Sequence, residues 1–340
     1  MIIKKNKKTN IHIHDAISYN SFPFGNRIHD CKYFTELLLI TNNININTIN
    51  EWIDWHLNII KVDHIVFIDN TENSIYKDIL KNNRKINYIS SPGILKQSEI
   101  YTTYVNMSDS EWVFPIDDDE YIYVSDRFNN SLNNYIEYLT ETNNMFKYSI
   151  NWHMMFSENI IEGKNNSYIN TCKYAYLQSY LPDDCATMFK TIVNTKIKHL
   201  YINNDTNNII DLDFKEIDAN DTWDKYCENV RLGSVHNPIS KYDNKFVHTY
   251  NPETNKNIIG FFNNGQLDIK ADCFIAHYKH NSFYNWKYKI NNFKFTDICP
   301  RSFFTNNYRL NKYYEIYETI KNKVLLQDNL YLLYKKYKTN

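Results

Sequence analysis

The first third of the chain alternates between short apolar runs and segments with helical spacing. The apolar runs are of strand length and cover Tyr33–Thr41, Asp63–Asp69, Lys85–Ser90 and Glu111–Ile116. The segments between them, 47–60, 74–81 and 95–107, carry apolar side chains at intervals of three and four residues. Such alternation is typical of parallel strands joined by helices, so we predict an α/β fold with a mixed, mostly parallel central sheet flanked by helices.

The alternation is less regular beyond residue 120. Strands are predicted at 147–155, 190–194 and 272–277, and helices at 282–292 and 311–337. Residues 1–30 show no periodicity. We therefore expect an N-terminal tail or strap over 1–30 and a C-terminal helical extension over 296–340.

Composition excludes several classes of protein. Hydrophobic residues make up 43% of the chain and aromatic residues 16%, as in a globular protein with a ring-rich core. The net charge of -1 gives no overall attraction to nucleic acid or to an anionic membrane. Six widely spaced cysteines without a C-x-x-C pair argue against a zinc ribbon and favour reduced thiols. With no apolar run of membrane-spanning length and no visible signal peptide, we expect a soluble, cytoplasmic protein, while its oligomeric state stays open.

The residues most suggestive of chemistry are the four consecutive acidic residues Asp117-Asp118-Asp119-Glu120, which follow a buried-type strand. We expect Asp117 and Asp119 to lie on the same side of an extended segment. Packing like charges together costs energy unless a cation or a proton offsets it, and hard oxygen ligands suit Mg²⁺ or Mn²⁺. Asp69 follows another strand and should lie at the same sheet edge. An exposed acidic turn is the alternative interpretation.

Residues 112–121 resemble the W-x-x-x-x-D-x-D-E-F signature of GT-A-fold glycosyltransferases, in particular glycosyltransferase family 92 and its family 2-like relatives. Further segments are similar to motifs of that family, in the same order along the chain: 51–56, 62–70, 152–157, 190–193, and the set His277, Tyr278, Ser282, Trp286 and Lys289. The resemblance covers about residues 33–292 and implies a GT-A fold, in which 31–295 is the glycosyltransferase domain, 31–125 its nucleotide-sugar-binding half and 126–295 its acceptor half.

The resemblance also implies an activity. It implies a metal-dependent, inverting transfer of a sugar from a nucleotide donor such as a UDP-sugar to a hydroxyl of a glycan or glycoprotein. Mn²⁺ or Mg²⁺ would be the cofactor, and nucleic acid would not be a partner. Three other functions stay open: a catalytically inactive carbohydrate-binding protein on the same fold, a glycoside hydrolase, and a nucleotidyltransferase, although the chain shows no Gly-rich phosphate loop.

Individual roles follow from the resemblance. Asp69 and Asn70 would contact the nucleotide, and Lys279 and Lys289 the diphosphate. The metal ligands would come from Asp117, Asp119 and His277: Asp119 would bind the metal directly, and Asp117 would hold the ribose or a metal-bound water. For His277, a buried structural histidine is the alternative.

The catalytic base is a separate expectation. An inverting transfer needs a carboxylate that accepts the proton of the acceptor hydroxyl. Asp183 or Asp184 would take this role, with Glu158 as a competitor. An exposed acidic loop after Pro182 is the alternative interpretation of the Asp pair.

Overall fold

The computed structural model describes residues 31–93, 100–101, 104–105, 107–143, 145, 147–157, 167–177, 188–195, 249–258, 267–278 and 325–339. The strands in this part are β1 Tyr33–Thr41, β2 His64–Asp69, β3 Ile86–Ser90, β4 Ser110–Pro115, β5 Glu120–Val124, β6 Lys147–Ser157, β7 Cys172–Tyr176, β8 Phe189–Asn194, β9 Thr249–Asn251, β10 Lys256–Ile258, β11 Cys273–His277 and β12 Leu325–Leu326. The helices are Ile46–Asp54, Lys77–Leu80, Leu132–Asn143, Tyr168–Thr171 and Asn329–Thr339, with a π-helical turn Trp55–Ile59 and a 3₁₀ turn Asp126–Phe128.

The central sheet has the strand order β10-β9-β6-β8-β4-β1-β2-β3. Strands β4, β1, β2 and β3 are parallel to one another, and β8 is antiparallel to β4. In this register Thr41 at the end of β1 lies opposite Asp69 at the end of β2. The predicted fold class, a mixed α/β sheet flanked by helices, is confirmed, and the strand ends that precede the acidic residues share one edge.

Strand β6 belongs to two sheets. Its first half, residues 147–151, pairs with β8 in the central sheet, and its second half pairs with β11 and then with β7. Strand β11 lies between β6 and β5, so a smaller sheet of order β5-β11-β6-β7-β12 branches from the central one. This branching brings the end of β11 to the end of β4.

Both faces of the parallel strands are covered. On one face the helix Ile46–Asp54 buries Ile49 and Trp52 completely, and Asn45 caps its first turn by accepting hydrogen bonds from two backbone N–H groups. On the other face Ile100, Tyr101 and Val105 pack against the strands. Each fully buried aliphatic side chain contributes about 1.5–3 kcal/mol to folding, which fixes the strands that carry the site.

The C-terminal segment differs from the expectation. One helix was predicted over 311–337, but Leu325–Leu326 forms a strand that pairs with Tyr174 and Ala175 of β7, and the described helix begins at Asn329. The exposed edge of β7 offers unpaired backbone groups, and pairing there overrides the helical spacing. The predicted helix 282–292 lies outside the described residues. In the part of the chain that the structure describes, no helix has the length and apolar character needed to cross a membrane.

Candidate active site

The acidic residues form a turn. The backbone N–H of Glu120 donates to the carbonyl of Asp117 at 3.2 Å, and the Glu120 carboxylate accepts the Asp117 N–H at 2.7 Å. Because these bonds reverse the chain directly into β5, the expected extended segment was wrong. The indole N–H of Trp52 stabilises the turn by donating hydrogen bonds to the carbonyls of Asp117 at 3.1 Å and Glu120 at 2.8 Å.

His56 connects the helix that carries Trp52 to β5, the strand that follows the turn. Its Nδ1 lies 2.8 Å from the Trp52 carbonyl, and its Nε2 accepts the Ile122 N–H at 3.2 Å. Burial lowers the pKa of His56 to about 3, so the ring is neutral and serves as donor on one side and acceptor on the other. The role of this histidine in the structure is therefore positional.

Glu51 makes a second connection from the same helix. Its carboxylate accepts hydrogen bonds from the Tyr121 hydroxyl at 3.3 Å, from the Tyr168 N–H at 3.1 Å and from the Ser167 hydroxyl. Burial raises the pKa of Glu51 despite these bonds. Glu51 thus joins the first helix to β5 and to the segment that precedes β7.

His277 reaches the turn from the end of β11. In the antiparallel ladder His277 lies opposite Glu120, and the next N–H, that of Tyr278, donates to the Asp119 carbonyl at 2.8 Å. The Nε2 of His277 is 3.5 Å from Oδ1 of Asp119, and both side chains are nearly buried. The indole of Trp152 packs on the imidazole with ring centroids 4.1 Å apart. The structure therefore brings together two of the three residues predicted as metal ligands.

Asp117 faces a buried cation of the protein itself. The Nζ of Lys190 lies 2.8 Å from Oδ2 of Asp117 and 3.5 Å from Oε2 of Glu120. Burial alone would lower the pKa of Lys190, but the neighbouring carboxylates of Asp117 and Glu120 raise it above its ordinary value. Burial raises the pKa of Glu120, and Asp117 and Asp119 raise it further, although Lys190 opposes the shift. Lys190 therefore carries its positive charge beneath the turn.

The adjoining strand ends are held by polar contacts. The hydroxyl of Thr41, at the end of β1, donates to Asp118. Asp69 is completely buried, and its carboxylate accepts four hydrogen bonds, two from Thr71 and one each from the Tyr76 N–H and the Tyr88 hydroxyl. A carboxylate has about four acceptor sites, so those of Asp69 are taken by the loop that follows it and by Tyr88 of β3. Its predicted nucleotide contact stays a prediction and would require exchange of one of these bonds.

Asn70 joins two loops at the same edge. Its side-chain amide donates to the carbonyls of Ser91 at 2.7 Å and Gly93 at 2.6 Å. Gly93 has a φ of 109°, in the region that favours glycine, so the chain can approach the amide closely. The amide thereby fixes the loop after β3 to the loop after β2. The predicted nucleotide contact of Asn70 also stays a prediction.

The remaining predicted site residues lie outside the described residues. These are Asp183 and Asp184, predicted as catalytic base, the competitor Glu158, and Lys279 and Lys289, predicted to contact the diphosphate. Their roles stay predictions.

The arrangement suits a cation whose coordination is completed by a ligand. Among the described residues, no group of three or more His, Cys, Asp or Glu side chains is placed to hold a metal ion. Mg²⁺ in phosphate-transfer sites commonly takes one or two protein ligands at about 2.0–2.1 Å and fills the rest with phosphate and water. Neighbouring ligands of such an octahedral ion are about 3 Å apart, close to the 3.5 Å between His277 and Asp119. A carboxylate and an imidazole also fit Mn²⁺.

Sequence reasoning did not assign a role to Lys190, Trp52 or Trp152. A signal for Lys190 was present, because a lysine within the otherwise apolar run Phe189–Val193 must find a partner if the strand is buried. The two tryptophans lie in segments 51–56 and 152–157, which resemble family motifs, but their contacts could not be predicted because the hydrogen bonds of buried indoles depend on tertiary placement.

Comparisons with known proteins give weak similarities. No family model matches the chain, and no curated protein matches its sequence. The chain is similar to Staphylococcus aureus TarS 1-349 (12% identity, TM-score 0.29, 48% of each chain covered), so it spans about half of that structure. It is also similar to the 4-diphosphocytidyl-2C-methyl-D-erythritol synthase of Anaerococcus prevotii (11%, TM-score 0.25, 48% of this chain and 71% of that). A candidate glucose-1-phosphate thymidylyltransferase of Bacillus anthracis is similar at 7% identity and a TM-score of 0.30, over 48% of this chain and 72% of that one. At such values these similarities carry no argument about activity.

Proposed function

We propose that the protein is a metal-dependent glycosyltransferase that transfers a sugar from a nucleoside diphosphate donor to a hydroxyl group of a glycan or glycoprotein, with inversion. The observation that carries the proposal is the pairing of His277 with Asp119 beside the ends of β1, β2 and β4. Ligands of open α/β sheets bind outside the carboxyl ends of the strands, and two nearly buried potential ligands at this place favour a cation there.

The residues at this edge of the sheet would have separate roles. Asp119 and His277 would hold Mn²⁺ or Mg²⁺, which would neutralise the charge that develops on the departing diphosphate. Asp117 would orient the ribose or a metal-bound water, and the loops after β2 and β3 would receive the nucleotide. The packing that fixes Trp52 and His56 would keep the turn in place while the donor binds and leaves.

The experiment that tests this function is a screen of nucleotide sugars for release of nucleoside diphosphate, with and without Mn²⁺. We expect metal-dependent release with one class of donor, slow with water alone and faster with an acceptor sugar. An Asp78→Asn variant is a matched control, because Asp78 lies on the exposed helix Lys77–Leu80 and pairs only with the solvent-exposed Lys81 among the contacts described.

Other results would contradict the proposal. Nucleotide binding without release under any condition would indicate a binding protein. Release of pyrophosphate from a nucleoside triphosphate and a sugar phosphate would indicate nucleotidyl transfer. Hydrolysis of glycosides without nucleotide or metal would indicate a glycoside hydrolase.

A further inference from the structure

Lys190 is a charged side chain in a place where water cannot reach it. Its residue exposure is 0%, and its ammonium group contacts carboxylates of two residues of the acidic turn. Lysine is almost never fully buried unless it is paired, because desolvation of an ammonium ion is costly. Lys190 lies in β8, which is antiparallel to β4, and its side chain reaches Asp117 in the turn that follows β4.

The two ends of the acidic turn contact different residues. At one end Asp117 is bound by Lys190, and at the other Asp119 faces His277. Trp152 lies beside both, with its ring 6.0 Å from the lysine Nζ and 4.1 Å from the imidazole centroid. The two aspartates therefore lie in different electrostatic surroundings although they are two residues apart.

The positive charge of Lys190 affects where a further cation can bind. Two positive charges a few Å apart repel each other strongly in a poorly hydrated site. The Asp117 oxygen that faces Lys190 is engaged by the ammonium group, whereas Asp119 is paired with a side chain that is itself a metal ligand in many proteins. The cation position next to Asp119 is thus favoured over one that bridges Asp117 and Asp119.

We infer that Lys190 is a resident counter-cation that positions Asp117 and keeps its carboxylate out of the coordination of the divalent cation, so that Asp119 and His277 are the protein ligands. The inference rests on the proposed function and refines its metal site. In this arrangement Lys190 is a positioning residue that acts through Asp117. It also lets the acidic turn form before any metal is present.

The test is binding of Mn²⁺ alone, without nucleotide, measured from the electron paramagnetic resonance signal of free Mn²⁺. Wild type is compared with Asp117→Asn, Asp119→Asn, Lys190→Met and Lys190→Arg. We expect Lys190→Arg to bind like wild type and Asp119→Asn to lose about 10-fold or more in affinity. Asp117→Asn should lose clearly less, because it removes a charge that offsets Lys190 but no metal ligand. Lys190→Met should gain about 10-fold or more, because the repulsion is removed and Asp117 becomes available as a ligand.

An equal loss of affinity in Asp117→Asn and Asp119→Asn would overturn the inference, and so would unchanged affinity in Lys190→Met. If Lys190→Met does not fold, Lys190→Gln, which also removes the positive charge, takes its place in the comparison. A wild type that binds Mn²⁺ but shows no donor turnover would contradict the proposed function and leave the ligand comparison valid. A wild type that binds no Mn²⁺, with or without nucleotide, would overturn both.

Discussion

The imidazole of His277 lies 3.5 Å from the carboxylate of Asp119, and the two residues are brought together by the antiparallel pairing of β11 with β5. Residue 277 is opposite residue 120 in that ladder, so the histidine lies beside the turn that precedes β5. The pairing depends on backbone register as well as on side-chain attraction. It is the structural basis of the first two predictions.

Replacing Asp119 by asparagine should abolish most of the metal-dependent turnover. Metal-ion stabilisation of developing charge supplies several kcal/mol, so we expect a loss of about 100-fold or more in kcat/KM. Steady-state kinetics of nucleoside diphosphate release measures the effect. Asp78→Asn should retain parental kinetics, and parental turnover of Asp119→Asn would show that Asp119 is not needed for the reaction.

Nucleotide and metal should stabilise the protein together far more than either does alone, because the cation is held by only two protein side chains and the diphosphate supplies further ligands. At about 100 times its dissociation constant a ligand adds about 2.7 kcal/mol, which corresponds to a rise of about 4 °C in Tm for a protein of 340 residues. Differential scanning fluorimetry with UDP, Mn²⁺ and both measures the shift. Equal shifts with UDP alone and with both would argue against a shared site.

Replacing Trp52 by phenylalanine should destabilise the turn. The variant leaves the carbonyls of Asp117 and Glu120 without their indole donor, at a cost of about 1–3 kcal/mol in the free energy of unfolding. Trp112→Phe is a matched control, because Trp112 is also fully buried but its indole N–H has no hydrogen-bond partner among the described residues. Urea unfolding should show a larger loss for Trp52→Phe, and equal losses would mean that the two hydrogen bonds contribute nothing beyond packing.

Stability should fall on acidification partly because of His153. This ring is fully buried and stacked on Phe274, and burial lowers its pKa from 6.5 to about 3. Above pH 6.5 the ring is neutral in both states. As the pH falls from 6.5 towards 3, His153 binds a proton in the unfolded chain but not in the folded protein, so the free energy of unfolding decreases.

The contribution of His153 can be separated from that of other groups by His153→Phe. Between about pH 6 and about pH 5 the wild type should lose up to about 1.4 kcal/mol more than the variant, measured by urea unfolding at each pH. The difference between the two slopes, rather than either slope alone, is the decisive quantity, because buried carboxylic acids also titrate there. Parallel slopes would show that His153 is protonated without cost.

The parallel half of the fold was predictable from sequence because its elements are local. Strand β1 has the predicted bounds Tyr33–Thr41, β2 and β3 each begin one residue later than predicted, and β4 begins and ends one residue earlier. In β1, β2 and β4 an apolar run of strand length marks a strand that is mostly buried, whereas in β3 only Ile86 is buried. The prediction needed only the order of these runs along the chain.

Other elements depended on partners distant in sequence. Strand β5 was not predicted, because Glu120 and Tyr121 follow the acidic residues directly and the strand is stabilised by β11. Likewise, Leu325–Leu326 is a strand only because the edge of β7 is available to it. Short strands of this kind owe their conformation to tertiary pairing, which overrides local preference.

The candidate site was predictable in part. The position of Asp119 and His277 at one edge followed from a resemblance in the order of motifs, whereas the bond between Lys190 and Asp117 did not. Spacing along a strand cannot show which buried charge meets which, because that depends on how β8 lies against β4. The same holds for Asp69, whose four hydrogen bonds come from the loop that follows it and from β3.

The ladder between β5 and β11 has a consequence for biosynthesis. The acidic turn and its first supporting helix leave the ribosome early, but the strand that completes their surroundings is encoded at residues 273–277. A nascent chain that ends before β11 would display the carboxylates without the imidazole, and β5 would lack the strand with which it pairs in the described part of the structure. The proposed ability to retain a divalent ion would accordingly arise only after β11 has been made and has paired with β5.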